Sequence, residues 1–225
     1  QYNILECKKI IPFASFIYFS NKLNKFMNDQ INQPHIFQEQ LMSKIDSIIL
    51  KPGEIQDIKQ LKQKDSSLNF WKDEYAKIES LPLDNFDKSV NFQDLLAEYS
   101  KYKQKILEIN SKFIIYLASK IKFLNFFQPI NIFLLDHKKN YEFSLFDGFK
   151  ETKNDYHDIS MHSESLLFIF KNDFGYDTLT VNGCFNAPKK GFIKSTRSFA
   201  IGSLNSMGLK VNFNLEQIFD EIFKV

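Results

Sequence analysis

An α+β fold is what this sequence predicts, and three observations predict it. Apolar residues recur at helical spacing from Phe92 to Leu124. The period changes to two after Pro129, at Ile130, Ile132 and Leu134, and helical spacing returns in Leu215, Ile218, Phe219, Ile222 and Phe223. A stripe of period ~3.6 buries one face of a helix and alternation buries one face of a strand, so the two share a core. The expected second half is a mixed or antiparallel sheet with one long helix and packed C-terminal helices, behind a smaller αβ half. The weakly periodic stretch at 81–91, with Pro82, serves as a linker and gives units 1–90 and 91–225.

The elements follow in order. Ile10, Ile11, Pro12, Phe13, Ala14, Ser15, Phe16, Ile17, Tyr18 and Phe19 form an almost wholly apolar run. Such a run predicts a strand buried on both faces, which needs neighbours on each side. Because it stands so near Gln1, with no methionine before it, we expect a further portion of the protein upstream. Pro34 suits the first turn of a helix, where its missing N–H costs nothing, and Phe37, Leu41, Ile45 and Ile48 continue at helical spacing. Ile48, Ile49 and Leu50 before Lys51, Pro52 and Gly53 predict a short strand closing in a turn. Phe70, Trp71, Tyr75 and Ile78 predict another short helix.

Asn91 can cap the long helix, with Asp94 in its first turn against the positive end of the dipole. The stripe then runs for about nine turns; burial in a core explains such spacing without a ligand groove. Ile130, Ile132 and Leu134 with the return strand Tyr141, Phe143 and Leu145 predict a hairpin, followed by a turn at Asp147 and Gly148. Ile159 and Met161 alternate from His157, and Ser163 caps a short helix carrying Leu166, Leu167 and Phe170. Leu179, Val181 and Phe185 alternate as a strand over 178–185, and two helices close the chain over 195–207 and 215–223.

Composition excludes several classes. Hydrophobic residues at 44% and charged residues at 25% belong to a globular chain, and a net charge of +2 gives no field to steer nucleic acid or an anionic membrane. Cys7 and Cys184 form no Cys-x-x-Cys pair, which argues against a disulfide framework or structural zinc and fits a reducing, cytoplasmic setting. The apolar stretch 113–135 is broken by Lys120, Lys122, Asn125, Gln128 and Pro129, so it predicts no membrane span. Phenylalanine is the outlier, at 25 residues against 7 glycines and one tryptophan.

Candidate chemistry is sparse. His157 and His162 flank a predicted strand at an odd offset and point to opposite faces, so with Asp155 and Asp158 they read as a solvated strand edge. His137 beside Asp136 is a turn pair. No phosphate-cradling glycine loop or nucleophile elbow is present. Lys189, Lys190, Lys194 and Arg197 gather near Gly191 at a helix start, which makes Lys190, Lys194 and Arg197 candidates to hold a phosphate or carboxylate. If the phenylalanine-rich interior holds an apolar ligand, Phe143, Leu167, Phe170 and Leu179 are the residues to line its cavity.

The segment Lys8 to Phe16, with its Pro12-Phe13-Ala14-Ser15 end and Asn24 and Asn28 after it, resembles the late part of a metallo-β-lactamase-fold domain. The closer likeness is to the branch that includes the CMP-N-acetylneuraminate hydroxylase type; Ile48 to Glu54 resembles the strand and Pro-Gly turn that follow there. In many members such a strand ends in a metal-binding histidine. Here Ala14 and Ser15 stand at that place, and neither replaces an imidazole. The family's His-x-His-x-Asp-His cluster is absent from this chain. The second half, over about 92–210, resembles the sterol-carrier-protein type 2 fold in element order, with Phe174 to Leu179 as its most individual segment; such domains follow metallo-β-lactamase domains in alkylsulfatases.

These resemblances imply a non-catalytic C-terminal portion of a metal-dependent hydrolase-like protein, shaping substrate access or assembly. No catalytic residue or metal ligand is assigned in this chain, and a divalent metal is expected only upstream, where it would activate water. The competing reading is a binding module or interaction domain without enzymatic activity. Expected partners are a small apolar or carbohydrate-derived ligand, a second copy of the chain or the upstream catalytic segment.

Overall fold

The computed structural model describes residues 6–13, 16–41, 44–121, 123 and 126–212, and the chain divides into two compact units, Gln1–Asn85 and Phe86–Val225. The expected helix over 215–223 lies outside the described residues, as do Ala14 and Ser15.

Among the described residues of the first unit, the expected doubly buried strand does not form. Only Lys9–Ile10 (β1) pairs, in parallel, with Asp46–Ser47 (β2), and further along the run Phe13 and Ile17 are 85% and 50% exposed. Side chains take the place of the missing strand neighbours. The Asn28 amide closes on Phe19 in both directions: the Phe19 N–H donates to Oδ1 at 2.7 Å and Nδ2 donates to the Phe19 carbonyl at 2.8 Å. Gln63 does the same to Ile49, accepting from its N–H at 2.7 Å and donating to its carbonyl at 3.2 Å. The Trp71 Nε1–H then donates to the Leu50 carbonyl at 2.9 Å. Residues 48–50 are therefore extended: the Ile48 N–H still donates to the Ile10 carbonyl of β1 at 2.9 Å, while Ile49 and Leu50 turn to side chains, because a buried backbone group needs a partner and accepts one from a side chain as readily.

Helix α1 covers Pro34–Leu41, and its buried Gln38 donates to Gln63 Oε1 at 3.0 Å. Ile48 falls outside this helix and is wholly buried beside Ile49. Helix α2 covers Asp65–Ala76, with Asp65 favourably placed in its first turn. The turn at Pro52 and Gly53 carries Gly53 at φ +77°, a left-handed conformation that suits glycine. It directs Glu54 onto Ser67, Gln56 and Lys64. The hydrogen bond from Ser67, joined by those from Gln56 and Lys64, holds the Glu54 carboxyl at about 2, against its usual 4.5. The unit closes where the Asp84 N–H donates to the Ser20 carbonyl at 2.8 Å and the Ser20 hydroxyl donates to the Asp84 carboxylate at 2.6 Å.

The second unit is an α+β fold built on a five-stranded mixed sheet of order β5-β4-β3-β6-β7: Ile130–Leu134 (β3), Lys139–Ser144 (β4), Gly148–Thr152 (β5), Ile159–Met161 (β6) and Phe185–Asn186 (β7). The hairpin β3–β4 is antiparallel with Ile132 opposite Tyr141, and β3 runs parallel to β6 with Leu134 opposite Met161. The turn at Asp147 leads into β5, a strand that its pattern of Gly148, Lys150 and Glu151 conceals.

The expected helix over 91–124 is two. Helix α3 covers Phe92–Ile109, capped by Asn91, whose side chain accepts from the Asp94 N–H at 2.9 Å. Helix α4 covers Lys112–Lys120. Between them Asn110 turns extended, its amide exchanging hydrogen bonds with Asn205 at 2.8 and 3.0 Å, while the Ser111 side chain caps α4. Asn and Ser offer the backbone polar alternatives to continuing a helix, and the apolar stripe conceals that break.

Helix α5 covers Ser163–Lys171, α6 Gly175–Asn182 and α7 Lys189–Ser206. The expected strand over 178–185 is thus largely helix: Tyr176 and Leu179, three apart, are buried while Val181 is 68% exposed. Gly183 at φ +68° ends that helix, its N–H donating to the Leu179 carbonyl at 2.9 Å. Helices α3, α5 and α7 pack over the sheet face that carries Tyr141, Phe143 and Phe149. No described helix is long and apolar enough to cross a membrane.

Candidate functional site

Parallel pairing of β3 with β6 places the residues just beyond each strand side by side, so Asp136 meets His162 and Ser163. The Ser163 hydroxyl and the Ser89 hydroxyl each donate to Asp136 Oδ2 at 2.6 Å, and the Ser163 N–H donates to Oδ1 at 2.9 Å. Burial works against the charge on Asp136, but these hydrogen bonds outweigh it and hold the carboxyl below its ordinary range. His137 Nε2 lies 2.7 Å from the Val90 carbonyl and must carry a proton, which leaves Nδ1 to accept from the Tyr141 hydroxyl at 2.8 Å. His162 caps α5 by accepting from the Glu164 N–H at 3.2 Å, and Phe86 stacks on its ring at 4.3 Å.

Serine, histidine and aspartate are thus gathered, but not as a nucleophilic triad. Each serine proton faces the carboxylate directly, and a carboxylate held by three donors is a poor base. The Val90 N–H donates to the Ser163 hydroxyl at 2.8 Å, so the cluster's work is to fasten residues 86–91 across the strand ends. The sequence conceals it because its members are joined by strand register. Among the described residues, no group of three or more His, Cys, Asp or Glu side chains could hold a metal ion.

The residues named from the sequence lie in the second unit. Phe143 is stacked on Phe170 at 5.9 Å and tilted against Phe199 at 4.6 Å. Phe143 is thus packed among rings, while Phe170 also lines a crevice between helices. Leu167 is half-buried on α5, and Leu179 is buried on α6 rather than on a strand. Of the expected anion-binding cations, Lys194 donates to the buried Asp158 at 2.7 Å, the Arg197 guanidinium lies 5.4 Å over the Phe126 ring, and Lys190 is exposed in the first turn of α7. Lys194 is committed within the fold, so an anion would compete with Asp158 for it.

The first unit carries a surface that the sequence reading missed. The unpaired part of the opening run passes over α2, where Phe16 and Trp71 rings meet at 5.6 Å and Trp71 and Tyr75 at 6.3 Å. The Tyr75 hydroxyl donates to the Ile17 carbonyl at 3.3 Å. A depression of about 280 Å³ lies along these rings. It shares Tyr18, Tyr75, Ile78 and Leu81 with a second depression of about 620 Å³, and Ile17 with a third of about 400 Å³. Phe26 lines both of the latter and is largely exposed. The rim carries both signs of charge, Lys25 and Lys77 against Asp29, Glu74 and Glu79. The available sequence signal was that the opening run has too few strand partners to bury its aromatic side chains.

Comparison of the chain with family models, with curated proteins and with solved structures finds no match.

Proposed function

We propose that this chain is a non-catalytic binding and assembly module whose first unit grips an apolar segment of a partner polypeptide. The observation that carries the reading is the continuous aromatic trough formed by Ile17, Tyr18, Phe26, Trp71 and Tyr75. Exposed apolar surface of this extent, rimmed by polar groups, is a common mark of an interaction site. Three adjoining depressions suit several spaced side chains of a peptide better than one compact metabolite. The mixed rim charges favour a polypeptide over a nucleic acid, which would call for a positive stripe. The fastened Asp136 cluster is accounted for as structure and asks for no substrate.

Trp71 is the one tryptophan of the sequence and lies in the trough, so its emission reports binding directly. Peptides selected from a random library on the full chain should carry spaced aromatic or branched aliphatic residues and shift Trp71 emission. Phe26→Asp, at an exposed position, should weaken them by at least about tenfold. Selected peptides that leave Trp71 emission unchanged, or that bind the Phe26→Asp variant equally well, would overturn the proposal. Sedimentation showing self-association abolished by Phe26→Asp would replace the partner with a second copy.

A further inference from the structure

The second unit holds a different site. Between α3, the end of α5 and α7 lies a crevice of about 180 Å³, floored by Tyr102, Ile106, Phe170 and Gly202. Tyr102 is 7% exposed, and its hydroxyl is buried with no hydrogen-bond partner among the described residues. That is out of keeping with its neighbours. The Tyr99 hydroxyl donates to the Ser144 carbonyl at 2.6 Å, the Tyr141 hydroxyl bonds His137, and the Tyr176 hydroxyl bonds Thr196. A buried phenol without a partner loses its hydrogen bonds to water and gains none in return.

Gly202 places no side chain beside that hydroxyl. A Cβ at this position would stand 3.8 Å from Tyr102 Oη, 3.7 Å from its ring and 3.2 Å from the Asp173 carbonyl. At the rim, Lys101 pairs with Glu98 at 2.8 Å and Lys105 pairs with Asp173. Lys171 also lines the crevice and makes no ion pair with a described residue. Three lysines against two carboxylates leave an excess of positive charge over an apolar floor, beneath which one O–H donor lies buried without a partner among the described residues.

We infer that this crevice binds a compact organic anion, a carboxylate on an apolar body about the size of benzoate. An enclosed cavity of ~150 Å³ accepts benzene, so the space matches one ring or a short branched chain. A small turn of the Tyr102 ring brings its buried O–H up to the floor, where the carboxylate oxygen accepts from it under the field of Lys171, while the body covers Ile106 and Phe170. An inorganic anion would leave that apolar floor uncovered, and a hydrocarbon would leave the hydroxyl without a partner. Burial pushes the Tyr102 hydroxyl upward from its ordinary value, so it stays protonated and donates at neutral pH.

The test is calorimetric titration of the full chain with benzoate, with benzyl alcohol and toluene as controls. Benzoate should bind saturably and at least about tenfold more tightly than benzyl alcohol. A hydrogen bond to a charged group is worth about 1.5–3 kcal/mol, so Tyr102→Phe, which keeps the ring, should weaken benzoate about ten- to hundredfold. Gly202→Ala should abolish binding, Lys171→Gln should weaken it, and Lys190→Gln should leave it unchanged. Far-UV circular dichroism establishes that each variant is folded. Absence of saturable benzoate binding, equal affinity in Tyr102→Phe, or a crystal soaked in benzoate with only an ordered water at the Tyr102 hydroxyl would each overturn the inference.

Discussion

Replacing Gln63 with methionine tests whether a side chain stands in for a strand in the first unit. Methionine keeps nearly the same length and volume, so the cavity cost is small. What it removes is the amide that accepts from the Ile49 N–H at 2.7 Å and donates to the Ile49 carbonyl at 3.2 Å. Ile49 is wholly buried, so its N–H has no route to water. An orphaned buried donor costs about 1–3 kcal/mol. Gln38 loses its bond to Gln63 but keeps its bond to the Ser47 carbonyl at 3.3 Å, which limits the additional loss. The expected total is about 2–3 kcal/mol. With a urea dependence of about 1–3 kcal/mol per molar, the midpoint should fall by roughly 0.7–3 M. Trp71 emission follows the first unit alone, because it is the one tryptophan. Gln60→Met, at an exposed position, is the control. A Gln63→Met midpoint within about 0.2 M of the parent, with unchanged slope, would refute the reasoning.

Three further outcomes are expected. Gly191→Ala should lower the melting temperature, although alanine ordinarily gains about 1 kcal/mol over glycine within a helix. Its Cβ would lie 1.9 Å from the Asp158 carbonyl, and Asp158 is pinned by the Asn131 N–H and Lys194, so a net loss of about 2–4 kcal/mol is expected, and a raised melting temperature would contradict the close approach. Glu54 has its folded-state pKa depressed to about 2 from 4.5, so its contribution is present above pH 4.5 and is lost as the pH falls towards 2. Urea midpoints measured across that range should decline, and Glu54→Gln should flatten the decline. Asp136→Asn should turn a donor towards a serine donor and cost about 1.5–3 kcal/mol; hydrogen exchange should then quicken at the Val90 amide, and unchanged exchange there would separate Asp136 from the fastening of residues 86–91.

What was legible in the sequence was information carried by near neighbours. Asn91 with Asp94 marks a helix start because cap and first turn are three residues apart, and Ile130, Ile132 and Leu134 mark β3 because alternation is local. The α+β character follows from those two signals. The break at Asn110 was hidden because its stabilising partner is Asn205, remote in sequence. Helix α6 was misread because Leu179 and Val181 alternate while the buried pair is Tyr176 and Leu179. The Asp136 cluster depends on a parallel register, and the aromatic trough depends on which backbone groups find side-chain partners. Neither leaves a local spacing to read.

The amide clips at Phe19 and Ile49 bear on how the chain avoids its own kind. An extended apolar segment with free N–H and C=O groups is a template for another copy's strand, and sheet proteins ordinarily blunt such edges with charge, proline or a covering element. Here Asn28 and Gln63 occupy both backbone groups of a key residue on each segment, so the template is capped from within while the aromatic side chains stay on offer. If the first unit binds as proposed, it does so through side chains while the backbone of Phe19 and Ile49 is withheld from strand pairing.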